Sequence, residues 1–126
     1  MRTGEILSEL REDNGLTQLE LAKRLHISNS SISAYETGAR SPNPEMLKYF
    51  AAFYDVTVDY LLGLTNVPLS PTVLSEEFAK GVKYSELLQT LDGLLPQQRD
   101  AVLLVIENMK FYADVAVKAS ANGEKA

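Results

Sequence analysis

Between Leu16 and Gly38 the chain crowds together uncharged side chains that can hydrogen-bond: Thr17, Gln18, Ser28, Asn29, Ser30, Ser31, Ser33 and Thr37. Hydroxyls and carboxamides both donate and accept, so such a group suits the reading of a polar surface. Catalysis has far less to work with. There is no cysteine and a single histidine, His26, which removes thiol nucleophiles, disulfides, zinc ribbons and histidine-based metal centres. The zinc-peptidase motif HExxH and Gly-rich phosphate loops are also missing from the sequence. The expectation is a protein that is not an enzyme and uses no metal and no cofactor.

The elements that must position these residues are written as helices. Ile6, Leu7 and Leu10 fall at helical spacing after Thr3, a candidate cap, and Asn14-Gly15 is a stop. Thr17 and Glu20 form a capping box, flanked by Leu16 and Leu21 as a hydrophobic staple. That helix runs to about His26, and Ser28 caps the next, with Ile27 and Ile32 as a second staple. Asn43-Pro44 starts a fourth, with Leu47, Phe50, Ala51 and Tyr54 on one buried face. Thr57 caps a last short helix closed by Gly63 and stapled by Val56 and Leu61. On the third helix Ile32 and Tyr35 face inward, while Asn29, Ser30, Ser33 and Ala34 are presented outward.

These residues resemble the xenobiotic-response-element (XRE) type helix-turn-helix regulators, whose DNA-binding domain has the lambda-repressor-like fold. The resemblance is carried by LTQLELAKRL for the positioning helix, ISNSSISAYETGARSPN for the recognition helix and loop, and MLKYFAAFYDVTVDYLLG for the closing helices. It covers about half of the chain, and His26 departs from it where many relatives have glycine; histidine tolerates the left-handed backbone of a turn better than most residues. The resemblance implies that Asn29, Ser30, Ser33 and Ala34 read base edges in the major groove of duplex DNA. It implies phosphate contacts from Gln18, Ser28, Ser31, Arg40 and Asn43, with Lys23 and Arg24 as lesser candidates. Arg11 and Glu36 match a family ion pair whose role is architectural.

Charge sets a condition on that expectation. The 126 residues carry a net charge of −5, and 45% are hydrophobic. Residues 1–65 hold six Lys/Arg against nine Asp/Glu, a net of −3, and the remainder six against eight, a net of −2. Neither half is basic, so phosphate must be met by neutral donors and by helix N-termini, which carry a partial positive charge. No apolar run approaches the roughly 18–20 residues needed to cross a bilayer, and the acidic N-terminus is unlike a signal peptide. The expected location is the cytoplasm.

Beyond a DNA-binding domain at 1–65, residues 66–74 are expected to form a linker, 75–119 a helical oligomerisation region and 120–126 a disordered tail. Phe78, Val82, Leu87, Leu88 and Leu91 are expected on one helix broken near Gly81. From Pro96 to about Ala119, Val102, Ile106, Met109, Ala113 and Ala116 step by four, three, four and three, a heptad-like seam. The expectation is therefore an all-α protein: a five-helix DNA-binding domain followed by C-terminal helices that build a homodimer on a palindromic operator, acting as a repressor. Two rivals differ in the partner. In one, an antitoxin or phage-type immunity regulator, the tail binds another protein such as an antagonist or toxin; in the other, the helix-turn-helix is an interaction module without DNA binding. A tail packed back on its own DNA-binding domain is the plainest alternative, and its length and helical pattern leave no β-rich self-cleaving domain.

Overall fold

A helix begins where a side chain can satisfy amides that have no partner within the helix, and four of the first five helices begin that way. In the computed structural model, which describes residues 2–121, α1 spans Thr3–Asp13, α2 Gln18–Leu25, α3 Asn29–Thr37, α4 Pro44–Tyr54 and α5 Val58–Leu61. Thr17, Ser28, Asn43 and Thr57 accept from the amides of Glu20, Ser31, Met46 and Tyr60, each worth about 1 kcal/mol. The Glu20 carboxylate reaches back to the Thr17 amide at 3.4 Å and completes the capping box.

Thr3 does not act as a cap. It lies inside α1, whose capping position is Arg2 with no side-chain hydrogen bond. Packing sets this helix start: a Cβ on Gly4 would stand 2.5 Å from the Glu36 carbonyl oxygen and 2.6 Å from that of Tyr35. Only glycine lets the first turn of α1 press on the end of α3.

The core holds Ile6, Leu7, Leu16, Leu21, Ala22, Leu25, Ile32, Tyr35, Phe50, Ala51, Val56 and Leu61, and Leu47 and Tyr54 are partly buried against it. Both residues of the Leu16–Leu21 and Val56–Leu61 staples are in it. His26 adopts φ 56, ψ 40 and turns the chain from α2 toward α3. Helix α3 packs against both α1 and α2, and the Tyr35 ring meets Phe50 edge-on at 5.9 Å.

The stretch expected to be a linker, 66–74, is partly structured. Ser70 caps a five-residue helix, α6 (Pro71–Ser75), and the Asp55 carboxylate, at the left-handed end of α4, accepts from the Ser70 hydroxyl and from the Thr72 amide and hydroxyl, the latter two at 3.1 and 2.9 Å. The Ser70 hydroxyl above all, with the Thr72 amide, holds the Asp55 carboxyl below its ordinary range. The first compact unit accordingly runs to Glu76, and the second begins at Glu77.

That second unit opens with a hairpin where a broken helix was expected. Strands β1 (Glu77–Ala79) and β2 (Val82–Lys83) pair antiparallel, so Phe78 lies on β1 and Val82 on β2. Lys80 and Gly81 join them at φ 52 and 77, the positive-φ pair that suits a two-residue hairpin turn. Helices α7 (Tyr84–Asp92) and α8 (Pro96–Ala121) follow, with Phe78 packed edge-on against Tyr84 at 5.5 Å. The Arg99 guanidinium closes the corner by donating to the Asp92 and Leu94 carbonyls. An open cleft of about 340 Å³ lies between the two helices, lined by Leu88, Leu91, Val102, Leu103 and Ile106 among others. Of the expected 120–126 tail, residues 120 and 121 continue α8, and the rest lie outside the described residues.

Candidate nucleic-acid interface

The first turn of α3 is free because its opposite face is anchored. Ile32 is 1% exposed and Tyr35 9%, whereas Asn29 and Ser30 are exposed and Ser33 and Ala34 half-buried one turn further on. The residues expected to read bases therefore share one end and one side of a helix, the short polar ones outermost. None is Arg or Lys, so the bidentate guanine contact is not available from them.

Three of the expected phosphate residues form a connected cluster. The Ser28 hydroxyl donates to Ser31 Oγ at 2.8 Å and accepts from the Ser31 amide at 3.1 Å. Arg40 Nη1 donates to Ser31 Oγ at 3.2 Å, and its guanidinium lies 5.7 Å from the centre of the Tyr35 ring. Most of the arginine's N–H donors remain uncommitted, since guanidinium has five. Asn43 stands outside this cluster. Its Oδ1 is committed to the Met46 amide at the start of α4, which leaves the carboxamide N–H groups free to donate.

Gln18 is tied to the architectural pair, a link the sequence does not announce. Arg11 Nε and Nη2 donate to the two Glu36 carboxylate oxygens at 2.6 and 3.2 Å, and Gln18 Nε2 donates to the same carboxylate at 2.8 Å. Arg11 Nη1 also donates to the Leu16 carbonyl at 2.7 Å, bracing the turn that precedes α2. One carboxylate thus fixes α1, the entry to α2 and the end of α3 together. The side chains of Arg11 and Glu36 are only 13% and 7% exposed, and the hydrogen bond that Arg11 donates to Glu36 pushes the Arg11 pKa up. Gln18 keeps a second carboxamide N–H and its own backbone amide at the N-terminus of α2. Both suit a phosphate oxygen.

Close to this network is a polar atom with no partner. The Tyr54 hydroxyl is buried and unpaired; burial first, and the neighbouring Glu36 charge second, push its pKa up to about 12. Lys23 and Arg24 are exposed in the last turn of α2, so they remain solvated side chains. Among the described residues no group of three His, Cys, Asp or Glu could hold a metal ion.

Two short helices joined by a left-handed turn, the second with a free polar first turn, define a helix-turn-helix reader of duplex DNA. The helix-turn-helix family model matches residues 7–61. The HTH-type transcriptional regulator ImmR of Bacillus subtilis is 31% identical over 129 residues, spanning 99% of this chain and 93% of that protein. The chain therefore belongs to the XRE-type helix-turn-helix family and is a DNA-binding transcriptional regulator. The HTH-type transcriptional activator BcrR of Enterococcus faecalis is 44% identical over 62 residues, which cover 49% of this chain and 30% of that protein. A solved transcriptional regulator from Listeria innocua aligns over 88% of this chain and 94% of its own, at 18% identity and a TM-score of 0.48.

Proposed function

We propose that the chain is a dimeric repressor that binds a two-fold-symmetric operator, one α3 per half-site. Asn29, Ser30, Ser33 and Ala34 read base edges; Gln18, Ser28, Ser31, Arg40 and Asn43 hold phosphates. The observation that carries the DNA part is the exposure of Asn29 and Ser30 beside the Ser28–Ser31–Arg40 cluster, to which the Ser30 hydroxyl is joined through Ser28 Oγ at 3.1 Å. An Asn bidentate to adenine supplies about 1–3 kcal/mol of discrimination, while serine discriminates little. One half-site is thus a weak address, and pairing two of them is the natural remedy. Repression here means occlusion of a promoter in the cytoplasm, with no catalytic step.

The second unit supports the dimer. No residue in it is buried among those described. Ile106 is 45% and Met109 64% exposed, with Phe111, Tyr112, Val115 and Val117 open beside them. Ala113 and Ala116 continue the exposed seam, and Val102 is half-buried at the cleft. We therefore assign residues 75–119 to subunit pairing.

Sedimentation equilibrium of the full chain and of Ile106→Asp tests this. The expected result is a dimer for the former, a monomer of unchanged helix content for the latter, and weaker operator binding by the monomer. A wild-type chain that stays monomeric would overturn the homodimer and leave the tail to another protein, such as an antagonist or toxin.

A further inference from the structure

The second unit carries both halves of a contact that one chain cannot make alone. Helix α7 has 9 residues and α8 has 26, about 14 and 39 Å at the helical rise. The cleft between them is walled by Leu88 and Leu91 from α7 and by Val102, Leu103 and Ile106 from α8. Residues 107–121 run on past that wall, about 22 Å of helix, and every residue from 107 to 118 is exposed. The overhang continues the stripe that lines the cleft: Val102 and Ile106 lead on to Met109, Ala113 and Ala116 in steps of three and four, the period of a helix packed along another. It cannot bend back into its own cleft. Proline stands only at the first residue of α8 and glycine is absent from it, so its sequence offers neither of the residues at which helices usually kink.

A second copy brings the two halves together. A two-fold axis pairs residue i with j and j with i, so an antiparallel pair of α8 helices seats each overhang in the other copy's cleft in one operation. With the axis level with residues 107 and 108, Ile106 meets Met109 of the second copy and Val102 meets its Ala113, each pair occurring twice. Size favours this arrangement. The stretch that enters the cleft presents Ala113 and Ala116, and small side chains let helix axes approach closely where the wall supplies leucine, isoleucine and valine. A parallel pair would instead set alanine on alanine and leave both clefts open. Charge does not oppose it. At 100° per residue Glu107, Lys110, Asp114 and Lys118 fall within an arc of about 80° beside the seam, so docking strands no charge in the contact. At the cleft Arg99 already donates to the Asp92 and Leu94 carbonyls. We propose that the α7–α8 cleft receives residues 109–116 of a second copy, with the two α8 helices antiparallel. The inference rests on the dimeric reading above and adds its orientation and the part played by α7.

The full chain holds no cysteine, so a nitroxide on Lys118→Cys, in the charged flank of α8, marks one site per copy. Antiparallel docking sets the two labels about 30–35 Å apart, from roughly 21 residues of rise and axes about 10 Å apart, whereas a parallel pair sets them within about 20 Å. Pulsed dipolar spectroscopy reads the difference. Leu88→Asp, at an α7 position that is 53% exposed, should keep the helix content and raise the dimer dissociation constant at least about a hundredfold, because two clefts each lose an apolar contact. Labels within about 20 Å would overturn the antiparallel docking and leave the dimer standing. Unchanged dimer affinity in Leu88→Asp would likewise remove the cleft from the interface. A monomeric wild-type chain in sedimentation, with no dipolar coupling, would overturn the dimeric reading and this docking together.

Discussion

Removing the Glu36 carboxylate should damage the fold before it damages recognition. The substitution Glu36→Ala deletes the acceptor for Arg11 Nε at 2.6 Å, Arg11 Nη2 at 3.2 Å and Gln18 Nε2 at 2.8 Å. It leaves a guanidinium whose side chain is 13% exposed with the Leu16 carbonyl and, at 3.8 Å, the exposed Glu12 carboxylate as its remaining partners. Breaking a buried pair by deleting one member costs about 3–5 kcal/mol, most of it the stranded charge. For a unit of this size each kcal/mol moves the thermal midpoint by about 4–8 °C, so a fall of at least about 12 °C is expected in circular dichroism melts. Replacing both partners with apolar residues, Arg11→Met with Glu36→Leu, strands no charge, costs only the bonds to the Gln18 carboxamide and the Leu16 carbonyl, and should recover most of that loss. Duplex binding by Glu36→Ala should be weak at temperatures where the unit is unfolded and return on cooling. If the midpoint is unchanged while duplex binding is lost at every temperature, Glu36 acts on DNA directly and the architectural assignment is wrong.

Three further outcomes follow from single groups. Tyr54→Phe removes a buried unpaired hydroxyl and should be neutral or stabilising by about 1 kcal/mol at pH 7. Because the folded phenol ionises only near pH 12 and an unfolded one near 10, the variant's advantage should grow as pH rises above about 10; a clear loss of stability in a urea titration would contradict the unpaired hydroxyl. Asp55→Asn weakens the clasp on Ser70 and Thr72. Since the folded carboxyl lies below its ordinary value, the wild type's advantage in melts should be full above about pH 4 and vanish as pH falls below it; a difference that does not change with pH would refute that. Asn29→Ala should cost about 1–3 kcal/mol of discrimination at a single base pair, seen as relaxed sequence preference in competition binding; a uniform loss over all duplexes would make Asn29 a backbone contact.

What was legible in the sequence was local. Caps and staples are decided within about four residues, so Thr17, Ser28, Asn43 and Thr57 announce their helices, and His26 its turn. Thr3 misled because a contact between helices, Gly4 on the α3 carbonyls, fixed that start. The hairpin escaped because strands of three and two residues are too short for a period to register, and Lys80 occupies a positive-φ turn position where Asn, Asp or Gly is the usual sign. The Asp55 clasp spans 15 and 17 residues and made part of an apparent linker into structure. At the candidate site the outward residues of α3 could be read from the buried Ile32 and Tyr35. The tie between Gln18 and Glu36 could not, because it depends on how three helices meet.

Selection of bound duplexes from a random library with the intact protein at about 100 mM salt, with the selected affinity then followed against salt, decides whether this acidic chain binds DNA as a pair of half-sites. A dimeric repressor enriches a two-fold-symmetric site whose half-site centres lie one helical turn, or a multiple, apart, with affinity that falls as salt rises. Recovery of no sequence, with no duplex affinity even at low salt, would overturn the proposed operator binding.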